Sequence, residues 1–161
     1  MNHKKQAVFK SGKNVVASLL TAGVVLAGTA YAADHYISVN DGAVAADSRG
    51  NYKNDGATGR NSTAIGVDAS AKKQGATAIG AATSATNNAA ISIGTYSNAS
   101  GVSSTAIGQG TLASANAATA IGRQANASGN GSTAIGSASK ASGSAATAFG
   151  SGTSASGTNS T

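Results

Sequence analysis

The residues able to do chemistry are few and scattered. His35 is the only histidine beyond Ala32 and cysteine is absent, so no zinc-ligand set can be assembled. Asp34, Asp41, Asp47, Asp55 and Asp68 are the whole acidic complement. Carboxylates could hold calcium, but this spacing fits neither an EF-hand loop nor a glycine-rich calcium roll. Turn chemistry accounts for them better, since Asp41-Gly42 and Asp55-Gly56 are turn dipeptides. Serines abound, yet none stands in a Gly-x-Ser-x-Gly elbow beside a histidine. Asn98-Ala99-Ser100 and Asn126-Ala127-Ser128 are glycosylation acceptors only in a eukaryotic host. No catalytic residue, cofactor site or metal site is assigned, and an enzyme is not expected.

Charge is equally uninformative about a ligand. The chain carries 11 Lys+Arg against 5 Asp+Glu. Four of those lysines, Lys4, Lys5, Lys10 and Lys13, crowd the N-terminus, so residues 33–161 have a net charge of only +2. Beyond Lys72-Lys73 there is no basic cluster, and aromatic residues are scarce, so nucleic acid is not an expected partner.

What must position any functional surface is a repeat. An apolar residue falls at Ile65, Ile79, Ile93, Ile107, Ile121, Ile135 and Phe149, each fourteen positions after the last. A glycine follows every one, and an alanine stands six positions after each, from Ala71 to Ala155. A fixed period without insertions is the mark of a stacked solenoid rather than a flexible linker. One period supplies two short strands and two turns, the turns rich in Gly, Ser and Asn, as at Ser100-Gly101 and Ser128-Gly129.

Side chains alternate along a strand, so parity assigns the faces. Thr63, Thr77, Ile91, Thr105, Thr119, Thr133 and Thr147 share the face of the isoleucines, and that face is expected to form the repeat core, with Phe149 as its last member. The opposite parity, Ala64, Ala78, Ser92, Ala106, Ala120, Ala134 and Ala148, stays tiny in every rung. An ordinary solvent face would vary, so another backbone is expected close against it, and these residues are the candidates for a face between chains. In the second half of each rung the always-small residues, such as Thr83 and Ala85, are expected to close over the isoleucines. The varied column Ser70, Ser84, Asn98, Leu112, Asn126, Lys140 and Ser154 is expected to meet water. Large apolar residues are too sparse for a globular core, and a lone thin solenoid is marginal, so partner chains are expected.

Residues 1–32 read as a signal peptide. Their lysines precede a short apolar core, Val15 to Ala27, too short for a comfortable span, and Ala30-Tyr31-Ala32 offers a cleavage site before Ala33. No membrane span is expected in the mature chain. Residues 33–60 read as an irregular cap over the first rung, and 61–161 as seven repeats and a partial eighth.

Tyr36-Ile37-Ser38-Val39-Asn40, then Asn51-Tyr52-Lys53-Asn54-Asp55-Gly56-Ala57-Thr58-Gly59, then the Ala-Ile-Gly rungs, resemble the heads of YadA-like trimeric autotransporter adhesins. The resemblance implies an all-β fold, a left-handed parallel β-roll with three chains around one axis. It implies a head held out from a bacterial outer membrane to bind host extracellular matrix or a cell-surface receptor. Such proteins usually continue into a coiled-coil stalk and a membrane barrel; neither pattern is present here, so the chain reads as a head without its anchor, on the cell surface if part of a longer adhesin and secreted otherwise. Asn61-Ser62-Thr63-Ala64-Ile65-Gly66 is similar to the family's collagen-associated Asn-Ser-Val-Ala-Ile-Gly pattern, departing at Thr63. Two other readings stay open from sequence: a structural spacer without a receptor, and an ice- or mineral-binding solenoid using the threonine column.

Overall fold

The computed structural model describes residues 55–161. The signal peptide expected at 1–32 and most of the cap expected at 33–60 lie outside the described residues. Every described rung contributes a three-residue and a two-residue strand. In chain order these are β1 (Thr63–Ile65), β2 (Ser70–Ala71), β3 (Thr77–Ile79), β4 (Ser84–Ala85), β5 (Ile91–Ile93), β6 (Asn98–Ala99), β7 (Thr105–Ile107), β8 (Leu112–Ala113), β9 (Thr119–Ile121), β10 (Asn126–Ala127), β11 (Thr133–Ile135), β12 (Lys140–Ala141), β13 (Thr147–Phe149) and β14 (Ser154–Ala155). The odd strands form one seven-stranded parallel sheet and the even strands another. This is the parallel β-solenoid that the period predicts, one rung for each repeat.

Register follows the period without slippage. Ala106 pairs with Ala120 and Ile107 with Ile121; Asn98 pairs with Leu112 and Ala99 with Ala113. Residues 56–59 already join this stack: Ala57 bridges Ala71, and the Ala71 N–H donates to the Gly56 carbonyl at 2.8 Å.

Two backbone devices turn the chain at each rung. The glycine after the isoleucine has φ near +125°, from Gly66 to Gly150, a conformation L side chains rarely adopt. At Gly108 a Cβ would also lie 2.6 Å from the Gly122 carbonyl oxygen, so the column is fixed by space as well as by dihedral. Three positions beyond each isoleucine the backbone is left-handed, with φ from 51° to 68° at Asp68, Ala82, Tyr96, Gly110, Gln124, Ala138 and Gly152.

The interior overturns the sequence assignment of faces in the first strand. Ala78, Ser92, Ala106, Ala120 and Ala134 are fully buried within the single chain, Ala148 is buried, and Ala64 is half-buried. They line the inside of the roll and cannot form a face between chains. Ile65, Ile79, Ile93, Ile107, Ile121 and Ile135 point outward and are half-buried, and Phe149 is 74% exposed. The isoleucines are therefore not the interior core. The physical reason is thickness. The two sheets sit so close that the largest fully buried side chains are Thr83 and Thr111. The small parity does have a backbone against it, but that backbone is the chain's own facing sheet and next rung. In the second half of each rung, Thr83 and Ala85 do point inward, with Ser84 half-exposed between them, but they close over the Ala/Ser column of the first strand and not over the isoleucines.

An interior of alanine and hydroxyl side chains must satisfy its polar atoms internally. Ser97, Ser139 and Thr153 donate to the carbonyls of Gly94, Gly136 and Gly150 at 2.9–3.0 Å. Ser62, Ser104 and Ser160 do the same at the other turn, to Gly59, Gly101 and Gly157, at 2.6–2.8 Å. Where Ser92 replaces the usual alanine, its Oγ lies 2.7 Å from Ser97 Oγ and accepts from Thr83 Oγ1 at 3.1 Å, a buried hydroxyl triad.

Candidate interaction surfaces

With the interior closed by small residues, function has to reside on the outside, which offers two sheet faces and two turn edges. Among the described residues no group of His, Cys, Asp or Glu could hold a metal ion. Among them, too, no helix is long and apolar enough to cross a membrane.

The first face belongs to the odd strands. Outward alternation places Thr and Ile of each Thr-Ala-Ile triplet side by side. Parallel in-register pairing then stacks each type on its own copies at about 4.8 Å per rung. The result is an unbroken ladder of β-branched side chains, with Ile91 in place of threonine in β5 and Phe149 in place of isoleucine in β13. No charged residue occurs in it.

The second face belongs to the even strands. Its outward column is Ser70, Ser84, Asn98, Leu112, Asn126, Lys140 and Ser154, in which neighbours share little chemistry. Leu112 lies against Asn98 and Asn126 in register. The Asn126 Oδ1 is buried without a hydrogen-bond partner.

The collagen-associated segment is resolved into ordinary structural roles. Asn61 takes the left-handed turn at φ 58°, and Ser62 closes that turn on Gly59. Thr63 and Ile65 point outward, Ala64 inward, and Gly66 begins the glycine column at φ 125°. Asn61, Ser62, Ala64 and Gly66 thus have turn, packing or dihedral reasons, whereas Thr63 and Ile65 belong to the outward face of the odd strands.

Tyr96 carries no role in the sequence reading. Its ring is 69% exposed and its backbone left-handed at φ 58°. A signal does exist in the sequence: it is the sole aromatic in a turn column otherwise made of Asp, Ala, Gly and Gln. Val102, 40% exposed on the opposite turn, and Ile91, 37% exposed, belong to the same rung.

Charge on the roll is sparse, and Asp68 is the one carboxylate side chain of the repeats at 61–161. Residues 69–161 contain Lys72, Lys73, Arg123 and Lys140 and not one acidic side chain. Arg123 Nη1 donates to Gln124 Oε1 at 3.2 Å.

A family model described as "YadA head domain repeat (2 copies)" matches residues 57–83, 85–111, 113–139 and 141–161. Each of the first three matches spans two rungs of the roll, and the fourth ends with the chain. Among curated proteins, none matches the chain.

Proposed function

The chain belongs to the YadA head domain repeat family, and from that premise we propose that it is the non-catalytic binding head of a bacterial adhesin, working as a homotrimer. The mature chain begins near Ala33, and is displayed on the cell surface or released. Its partners are a host extracellular matrix protein or a cell-surface receptor, engaged weakly by each chain and tightly by three together.

The observation that carries this reading is the Thr/Ile ladder on the outside of the odd sheet. A continuous, uncharged, β-branched face on an exposed roll marks an interaction surface. Its regularity suits identical neighbours, because a three-fold axis brings the same ladder together three times. The interface therefore runs through Thr63, Ile65 and their copies rather than through the alanine column. Burying this ladder supplies the apolar contact area that the alanine interior lacks.

Sedimentation of the purified chain tests the assembly. A trimer is expected for the wild type and a monomer for Ile107→Lys; a wild-type monomer at micromolar concentration sinks the proposal. Adhesion of the trimer to collagen, fibronectin, laminin and epithelial cells then separates an adhesin from an inert spacer, which binds none of them.

The outward threonine column favours a second reading, a binder of ice or another crystalline surface. That function needs the ladder free rather than buried between chains. Thermal hysteresis from a monomeric roll would select it.

A further inference from the structure

Tyr96 has no structural reason to be tyrosine. Its column elsewhere holds Asp68, Ala82, Gly110, Gln124, Ala138 and Gly152, residues small enough or polar enough for a left-handed turn. A bulky aromatic at φ 58° is strained, and this ring is 69% exposed, so packing returns little for that strain. Strain held without a packing gain points to a surface role.

The rungs after Tyr96 build the rest of a site. Backbone bonds stack the edge in order: Gly110 N–H to the Thr95 carbonyl at 2.9 Å, Gln124 N–H to the Gln109 carbonyl at 2.9 Å, and Ala138 N–H to the Arg123 carbonyl at 2.9 Å. Gly110 thus sits directly between Tyr96 and Gln124 and contributes no side chain. The position a Cβ on Gly110 would take lies 3.7 Å from Gln124 Cγ, so the glutamine flanks this gap. Tyr96 and Gln124 are separated by two strand spacings, roughly 10 Å at the backbone. Gln109 stands beside the glycine floor in sequence, and Arg123 is tethered to Gln124 Oε1 at 3.2 Å. The flanking rungs of this edge carry only small residues, Ala81-Ala82 on one side and Ser137-Ala138 and Ser151-Gly152 on the other.

An exposed aromatic wall, a backbone floor, two primary amides and one guanidinium form a defined chemical set. The ring face offers a platform for the C–H surface of a flat ring or a pyranose. The amides both donate and accept, which suits vicinal hydroxyls. The guanidinium pairs in bidentate fashion with a carboxylate or sulfate. The one carboxylate of this turn column is Asp68, two rungs before Tyr96 and four before Gln124, on the far side of Tyr96 from Arg123. We infer that the edge formed by Tyr96, Gln109, Gly110, Arg123 and Gln124 is a subsite for an acidic pyranose, the carboxylated or sulfated sugar of a surface glycan. The subsite lies wholly within one chain. It deepens the adhesive reading, on which its biological setting rests, but its test does not depend on adhesion to any matrix protein.

The test is saturation-transfer and chemical-shift NMR on the purified chain with three probes: sialyllactose, a heparin-derived tetrasaccharide and lactose. Saturation transfer and shifts of the Tyr96 ring protons are expected with at least one acidic probe and not with lactose at equal concentration. Response to sialyllactose alone identifies a carboxylated sugar, and response to the heparin fragment alone a sulfated one. Tyr96→Ala should weaken the acidic probe at least tenfold without moving the melting temperature, since the ring is mostly exposed. Arg123→Gln should remove the preference for acidic over neutral sugar, and Lys140→Gln, on the second sheet, should leave binding unchanged. Gly110→Gln, which copies the residue one rung on in the same column, should fill the gap and abolish binding. Silence of the Tyr96 ring toward both acidic probes, an equal response to lactose, or unaltered binding by Tyr96→Ala would each overturn the inference.

Discussion

The odd and even sheets share one interior and differ outside it. Both direct small side chains inward, alanine and Ser92 from the odd strands and alanine from the even ones, and nothing larger than threonine is fully buried anywhere in the roll. Outside, the odd strands repeat Thr and Ile almost without change, whereas the even strands run through Ser70, Ser84, Asn98, Leu112, Asn126, Lys140 and Ser154. A uniform column and a varied column on equally regular backbones cannot both be answers to the same environment. Water tolerates almost any polar side chain, so the even sheet drifts. The odd sheet is held to β-branched shapes, which is the pattern of a surface that must fit something. Constancy of a column marks contact within the chain for the alanines, and the proposed assembly extends the same rule to the isoleucines between chains.

That contrast can be broken most severely from the inside. Ala106→Lys places an ammonium in a space that excludes side chains larger than threonine, and is expected to abolish the β signature in circular dichroism. Ile107→Lys, one residue along and outward, should retain that signature while sedimentation falls to the monomer. If the two variants behave alike, the inward and outward columns are not distinct. Next in size is Gly108→Ala, where the new methyl meets the Gly122 carbonyl at 2.6 Å at φ +130°. Strain and overpacking together should cost about 3 kcal/mol, read from denaturant midpoints.

The interior hydroxyls sharpen the comparison at lower energy. Ser104 Oγ donates to the Gly101 carbonyl at 2.8 Å, while the equivalent Ser132 Oγ is buried with no partner. Ser104→Ala should lose about 1 kcal/mol, and Ser132→Ala should gain up to about 1 kcal/mol, because alanine already fills this column at Ala118 and Ala146. Opposite shifts in melting temperature would be the signature. The smallest effect belongs to the even face: Lys140→Ala, exposed on β12, should change stability by less than about 0.5 kcal/mol.

Period, register and strand positions are legible because stacking punishes any insertion, and the Ile-Gly columns reveal the repeat directly. The turns are legible in outline, although alanine at Ala82, Ala117 and Ala138 in left-handed conformation carries no sequence mark. Parity in the second half of the rung reads correctly from sequence, since Thr83, Ala85, Ala99 and Ala113 are buried. Parity in the first half reads in reverse. The rule that large apolar residues go inside presumes an interior with room for them, and two sheets this close have none.

The Tyr96 edge is hidden for a different reason. Its members, Tyr96, Gln109, Gly110, Arg123 and Gln124, are spread over three repeats and look like unrelated turn substitutions. They become neighbours only because each rung advances the chain by one strand spacing, which folds sequence distance into a short stretch of edge.

By itself, then, the sequence determined a parallel β-solenoid with one rung per repeat and the column to which each residue belongs, since both follow from a period that tolerates no slip. Only the tertiary structure decided which column of the first strand faces inward. That choice depends on the distance between two sheets, which leaves room for nothing larger than threonine, and not on the hydrophobicity of any one strand.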